Sequence, residues 1–393
     1  MRIALVALHY AEYSSRLALA LAENHSVLLL LRTDNAHEEL SSTLREKLNH
    51  RVQVVLIEHR KLRQPSVIAA ALRVVRVVRQ FKPDVVHFQE YPVDYAAWSA
   101  LRLMALYPSV LTIHDHVAHS GADSKVPLRC LVYQYLLRRN TKNIIVHGET
   151  ILREVSSEFR DHQHIFSINL GALGGDYSAE IKDMADTDGN VNTTNTNTEP
   201  ELNTLLFFGR IEAYKGLSVL LDALDKLDAA AWGKVRLLIA GCGSALEAER
   251  ERIAQKKHIE VDERFIPAED IPALFSRCAV TVLPYLDATQ SGVAAMAFSF
   301  GRPVIASATG ALPEVVRDGE TGLLVPPGDA DSLAQAINRL ISDRGLWTTL
   351  AQGARRYANS DLAWPNIAKK TLSVYDDLYT GLPGNCGGRI GHS

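Results

Sequence analysis

The sequence predicts two doubly wound parallel α/β domains in tandem. Three observations carry this expectation. Short β-branched runs alternate with segments of helical spacing through residues 1–175, and the same alternation restarts at residue 204. Between the two series lies DTDGNVNTTNTNTEP (Asp186–Pro200), which has no hydrophobic period. A chain of 393 residues is long enough for two such domains. Apolar strands separated by helices imply a parallel sheet covered on both faces, because each strand is then buried on both sides.

In the first series the expected strands are Arg2–Leu8, Val27–Arg32, Val52–Glu58, Asp84–Glu90, Ser109–Asp115, Asn143–Gly148 and His164–Gly171. Helical spacing fills the gaps, most plainly over 15–24 and 66–81. The second series runs Thr204–Arg210, Arg236–Gly243, Glu263–Pro267, Ala279–Tyr285, Pro303–Ser307 and Thr321–Pro327. Residues 176–203 are expected as a polar linker or loop that cannot bury enough surface to order itself. Residues 204–355 form the second domain, 356–380 a closing helix, and 381–393 a disordered tail. In such sheets ligands sit at the carboxyl ends of the strands, so two domains face to face make a cleft.

Composition narrows the function classes. With 47% apolar residues a sizeable core is available, and a net charge of −3 implies no nucleic-acid partner. The halves differ: residues 1–175 hold 21 Lys+Arg against 16 Asp+Glu, and residues 176–393 hold 21 against 29. Different partners for the two halves are expected. Cys130, Cys242, Cys278 and Cys386 have no metal-like spacing, which argues against a disulfide framework or structural zinc. The opening MRIALVALHY runs straight into a strand, so no signal peptide is expected, and no apolar run approaches the ~20 residues that span a bilayer. A cytoplasmic location is expected.

Four strand ends in the second half carry chemistry. FFGRIEAYKG (Phe207–Gly216) ends a strand at Gly209 and then offers Arg210 and Lys215. A planar fork of donors beside a mobile point charge suits a diphosphate, although a solvated loop with two cations satisfies the same pattern. IAGCGS (Ile239–Ser244) places a GxG turn, with Gly241, after its strand; a plain tight turn and ligand contact are both open. LPYLDATQSGV is followed by a helix, so Ser291, Gly292 and Val293 sit at a helix N-terminus, where unpaired N–H groups and the dipole favour an anion. ASATGALPEVVRDGETGLLVPPGD puts Glu314 just inside a helix, as a ligand contact or a first-turn charge.

Taken together, GRIEAYKG, GRPVIAS, GALPEVV and DGETGLLVPPGD resemble the donor half of the retaining glycosyltransferases of family four. The resemblance implies the GT-B fold, two Rossmann-like domains facing across a cleft, and covers the chain to about Tyr379. SDLAWPNIAKKTLSVYDDLY resembles the helix that crosses back to the first domain, with Trp364 and Tyr375 as packing residues. By the same resemblance, Arg210 and Lys215 neutralise the donor diphosphate and stabilise the leaving nucleotide, where charge builds on the departing oxygen. No DxD-type motif is present, so no metal cofactor is expected. The family commonly carries two glutamates eight residues apart, and those positions are Ala288 and Met296 here. Some members have an ATQSGV-like loop instead, in which the loop does the holding and Asp287 or Gln290 supplies side-chain contacts.

The first half offers TIHDHVAHSG (Thr112–Gly121) at a strand end. His114, Asp115, His116 and His119 are metal-ligand types, but no second cluster is spaced to complete a metal site; a structural role is the other reading, and the resemblance puts His114 near the sugar. His147 ends the next strand and faces the same edge. The loop LHYAEYSSR lacks the Gly-Gly pair of many relatives and leaves His9, Tyr10 and Ser14 for acceptor or donor contact. Arg60–Lys82 is basic, with Arg73, Arg76 and Arg79 at near-helical spacing. It is a half-buried helix with a cationic outer face or a dock for anionic lipid.

The expected activity is retaining transfer of a sugar from a nucleotide-diphosphate sugar to a glycan, lipid-linked or small-molecule acceptor. A nucleotide-sugar epimerase on the same plan and a non-catalytic sugar-nucleotide-binding scaffold are the alternatives. The epimerase needs carboxylates placed to move a ring proton, and the second domain shows none at the positions where that chemistry would need them. Arg210 and Lys215 argue against the scaffold, because a dead site has no leaving group for them to stabilise.

Overall fold

A computed structural model describes residues 1–58, 66–91, 93–116, 127–159, 162–174, 201–227, 235–288 and 290–380. Positions 176–200 of the expected linker, the tail 381–393 and His119 lie outside the described residues. The described chain forms two compact units. The first holds the described residues up to Gly171 together with those from Ala363 on, and the second those of Ala172–Leu362.

The first unit is built on seven parallel strands: β1 (Arg2–Ala7), β2 (Ser26–Arg32), β3 (Gln53–Ile57), β4 (Val85–Gln89), β5 (Ser109–Ile113), β6 (Asn143–Val146) and β7 (His164–Ser167). Their spatial order is 3-2-1-4-5-6-7. Ile3, Ala4, Leu5, Val85, Val86, Val110 and Leu111 have no exposed surface, which is why these strands read as unbroken apolar runs. Strand order reverses between β1 and β4, and the crevice at such a reversal is where ligands settle.

The helix Trp364–Thr380 closes this unit against one face of the sheet. Its hold is polar as well as apolar. Tyr375 is fully buried, and its hydroxyl lies 2.7 Å from His87 Nδ1. Asp377 Oδ2 accepts from His164 Nδ1 at 2.8 Å and from Asn143 Nδ2 at 3.2 Å. At its start, the Trp364 indole fills the space over Gly171, where an added Cβ would come within 2.5 Å of the ring.

The second unit has six parallel strands: β8 (Glu201–Phe208), β9 (Arg236–Ala240), β10 (Ile259–Asp262), β11 (Cys278–Leu283), β12 (Val304–Ser307) and β13 (Gly322–Val325). The order is 10-9-8-11-12-13, with the reversal between β8 and β11. Two expectations are corrected. β8 begins at Glu201 rather than Thr204. The strand expected at Glu263–Pro267 is instead Ile259–Asp262, paired with β9 from Ile259↔Leu237 to Asp262↔Ala240. The reason is exposure. β10 is an edge strand of half-buried and exposed residues, so it lacks an apolar run. Phe265 in the following loop is 58% exposed, and Arg264 pairs there with Asp262 at 2.8 Å and Asp270 at 2.7 Å.

Tyr375→Phe keeps the ring and removes its hydrogen bond, leaving His87 Nδ1 buried without that partner. The expected cost is about 1–3 kcal/mol, read as a lower thermal midpoint. An unchanged midpoint would show that the helix is held by packing alone.

Candidate active site

In the second unit the loops leaving β8, β9, β11 and β12 interlock through their backbones. Gly241 has φ +138°, and a Cβ there would lie 1.9 Å from the carbonyl oxygen of Gly209. Gly310 has φ +52°, and a Cβ there would lie 1.5 Å from the carbonyl oxygen of Ala288. Only glycine permits these approaches. The loop after β8 is further tied to its neighbours by Ile211 N–H to the Cys242 carbonyl at 2.9 Å and Leu286 N–H to the Tyr214 carbonyl at 2.7 Å.

Lys215 is drawn into this interlock. Its side chain is buried, and Nζ would lie 3.2 Å from a Cβ placed on Gly209, a position also 3.7 Å from Val293 Cγ2. The ammonium stands 5.7 Å from the centre of the Tyr285 ring. Burial, with the guanidinium of exposed Arg210 adding to it, lowers the Lys215 pKa to about 8; the Glu212 carboxylate opposes the shift. Glu212 is itself buried and accepts from Ser244 Oγ at 3.0 Å. Beside the lysine begins the helix Gly292–Ser299, capped by Ser291, whose Oγ accepts from the Ala294 N–H at 3.3 Å. Ser291 also hydrogen-bonds the Tyr285 hydroxyl, whose pKa burial pushes up. Two cations and a helix N-terminus therefore share the carboxyl end of β8 and β11. That arrangement attracts an anion with several oxygens.

In the first unit, an aromatic stack occupies the carboxyl ends of β1, β5 and β6. The Tyr10 and His114 rings stack with centres 3.7 Å apart, and Tyr13 meets His114 edge-on at 4.9 Å and His147 at 5.3 Å. His114 and His147 are 4.8 Å apart, and His9 lies 4.4 Å from Tyr10 and stacks on Tyr91 at 5.4 Å. Tyr10 takes left-handed backbone angles at the start of the helix Ala11–Leu21, and its hydroxyl donates to Asp115 Oδ2 at 3.0 Å. Ser14 is buried, its Oγ donating to the Tyr10 carbonyl at 2.8 Å.

Hydrogen bonds set the tautomers of the two imidazoles. His114 Nε2 lies 2.7 Å from Gln89 Oε1, an acceptor, so Nε2 carries the proton. His147 Nδ1 donates to the Ile168 carbonyl at 2.9 Å, which leaves a lone pair on Nε2, buried and without a hydrogen-bond partner. Burial holds the His114 pKa well below the ordinary value and lowers that of His147 to about 4. Both rings are neutral near pH 7. His114, Asp115 and His116 turn to three different partners: Gln89, Tyr10 and Glu158. No three His, Cys, Asp or Glu side chains are grouped to hold a metal ion among the described residues.

The family model for glycosyl transferases group 1 matches residues 203–343, and that for the glycosyl transferase 4-like domain matches residues 10–169. The chain is 30% identical over 301 residues to the phosphatidyl-myo-inositol mannosyltransferase of Mycobacterium leprae, across 76% of this chain and 74% of that one. The chain belongs to the group 1 glycosyl transferases. The fold agrees: sucrose-phosphate synthase of Thermosynechococcus elongatus superposes with a TM-score of 0.70 at 21% identity, covering 97% of this chain and 100% of the other. Anabaena HepE in complex with UDP and glucose superposes at 0.68 and 17% identity, covering 96% and 100%. This glycosyltransferase thus has the GT-B architecture of two Rossmann-like domains.

The remaining sequence candidates fall around the second interlock with different exposures. Asp287 is exposed, while Gln290 and Glu314 are half-buried, Glu314 in the short helix Leu312–Val315. Ala288 and Met296, the positions where the family resemblance implies glutamates, are both buried. Ala288 presents its carbonyl to Gly310, and Met296 lies against Gly174. Sequence reasoning passed over Glu212, Tyr285, Tyr13 and Gln89. Glu212 lies inside the quoted loop between the two cations, so it was available as a signal. Tyr13 and Gln89 acquire their roles only by meeting His114, about 100 and 25 positions along the chain.

The neutral histidines carry a pH dependence with a definite sign. His147 stays neutral in the fold down to about pH 4, whereas in the unfolded chain it protonates near 6.5. The unfolded state therefore binds more protons between these values. Stability is full above pH 6.5 and is lost as pH falls through the folded pKa, by up to about 1.4 kcal/mol per pH unit per histidine. His147→Asn should flatten the fall of the thermal midpoint between pH 6.5 and 4. An identical slope in the variant would contradict the assignment.

Proposed function

We propose that this glycosyltransferase moves a sugar from a nucleotide-diphosphate donor to an acceptor hydroxyl with retention of anomeric configuration. The observation that carries the reading is the buried Lys215 ammonium beside Arg210 at the N-terminus of the helix Gly292–Ser299. Burying a cation is costly unless an anion meets it. A diphosphate offers the oxygens that Arg210, Lys215 and the N–H groups of Gly292 and Val293 would receive. The UDP and glucose bound in the HepE complex support a donor of this class.

In this mechanism Arg210 and Lys215 stabilise charge on the phosphate oxygen as its bond to the sugar lengthens. No carboxylate stands at Ala288 or Met296 to act as a nucleophile. The acceptor hydroxyl therefore attacks on the face that the phosphate leaves. A new C–O bond forms, the old one breaks, and the departing phosphate oxygen takes the hydroxyl proton. The two cations do the electrostatic work, so the reaction is proposed to need no metal. Gly209 and Gly241 bring backbone close to the donor, and Asp287, Gln290, Ser291 and Glu314 line it. In the first unit, His9, Tyr10, His114 and His147 are proposed to contact sugar or acceptor hydroxyls through neutral hydrogen bonds.

The acceptor is proposed to be a glycan or a lipid-linked saccharide, as in polysaccharide or glycoconjugate synthesis. The name of the Mycobacterium leprae relative, a phosphatidyl-myo-inositol mannosyltransferase, supports the lipid-linked class. A cytoplasmic location is in keeping with the free thiols of Cys130, Cys242 and Cys278.

Two linked measurements test this. Titration with nucleoside diphosphates should show affinity falling as pH rises through about 8, where the free Lys215 loses its charge. Lys215→Met should remove that pH dependence. Arg210→Ala with Lys215→Ala should weaken binding at least ~100-fold, as expected for two charge-assisted contacts, and abolish transfer with the fold intact. Unchanged turnover in the double variant would overturn the mechanism. Nucleotide binding without transfer to any acceptor would favour the scaffold reading.

A further inference from the structure

Three neighbouring helices cover one face of the first sheet: Ser66–Phe81, Asp94–Met104 and Leu128–Arg139. Their inner sides feed the core through Val74, Val78, Ala97, Leu103 and Leu137. Their outer sides are unusual for a water-facing surface. Ile68, Leu72, Trp98, Leu128, Leu131 and Tyr135 are all exposed, Leu128 by 77% and Ile68 by 66%. Exposed Arg73, Arg76, Arg102, Arg129 and Arg139 lie among them. The three segments contain a single acid, Asp94.

We propose that this face docks the protein on an anionic membrane. Large apolar side chains enter the boundary between headgroups and acyl chains, Trp and Tyr rings sit at that depth, and arginines meet the lipid phosphates. The charge also argues against a second copy as the occupant. A two-fold interface would set this cationic face against itself, and like charges across an interface are disfavoured.

The docking reads surface charge rather than one headgroup. A cavity of about 220 Å³ opens beside Tyr135 and Arg139, but Glu158 lines it. Arg138 at its wall is already held in two hydrogen bonds to Glu90, at 2.8 and 2.9 Å. That leaves the cavity poorly suited to an anionic headgroup. The binding does not depend on the reaction; its use, bringing the chain to a lipid-linked acceptor, rests on the function proposed above.

Flotation with vesicles tests the proposal. The full chain should float with phosphatidylcholine vesicles that contain phosphatidylglycerol. It should float equally well when phosphatidylserine supplies the same charge density, and should stay behind with phosphatidylcholine alone. Raised salt should release it. Arg73→Glu with Arg76→Glu should lower partitioning by about tenfold or more, and Leu128→Asp with Leu131→Asp should do likewise. Trp98→Phe should remove the blue shift of tryptophan fluorescence that accompanies binding. Nucleoside diphosphate binding should be the same in all these variants, which shows that they fold and separates failure of this proposal from failure of the donor reading. Absence of flotation, equal binding to phosphatidylcholine alone, or a concentration-dependent dimer that Leu128→Asp with Leu131→Asp dissolves would each overturn it.

Discussion

No side chain fits between the loops that follow β8 and β9. The Gly209 carbonyl oxygen occupies the space a Cβ on residue 241 would need, and the Ala288 carbonyl oxygen does the same at residue 310. These backbone contacts draw together four strand ends that are far apart in sequence. They also close the floor under Lys215, so that its ammonium is buried against Tyr285 and beside the first turn of the helix Gly292–Ser299. The lowered Lys215 pKa follows from that burial and from Arg210 nearby. A positive charge held in place before any ligand arrives is the preorganisation that leaving-group stabilisation requires. The interlock is thus the structural cause and the electrostatics its consequence.

The two units use opposite chemistries at equivalent places in their sheets. The second concentrates charge at its strand reversal. The first stacks Tyr10, Tyr13, His114 and His147 and keeps both imidazoles neutral by burial. Neutral donors and acceptors suit hydroxyl groups, which carry no charge to be met. Cations suit phosphate. Ala288 and Met296, the positions where the family resemblance implies carboxylates, are buried and apolar here, so neither offers a charged group to a ligand.

Much of this was legible in the sequence. Strands buried on both faces, such as β1 and β11, leave unbroken apolar runs, and those runs sit where they were expected. β10 was not legible, because an edge strand with exposed side chains carries no such run, and exposed Phe265 imitates one nearby. Arg210 and Lys215 could be picked out because both lie on one short loop. The inward turn of Lys215, and the closeness of Gly241 to Gly209, could not, since they depend on how two loops approach each other. The stack around His114 was only half visible. The histidines stood out, but Tyr13 and Gln89 look ordinary until the fold brings them to the ring. The basic helix 66–81 was seen alone; its neighbours' exposed Trp98 and Leu128 turn a cationic stripe into a broad face.

The most direct test of the central claim is hydrogen–deuterium exchange with and without a saturating nucleoside diphosphate. Protection should appear in peptides covering 209–216 and 290–296, where the clamp and the helix N-terminus are proposed to meet the phosphates. Protection confined to the first unit, with those two segments unchanged, would contradict the account.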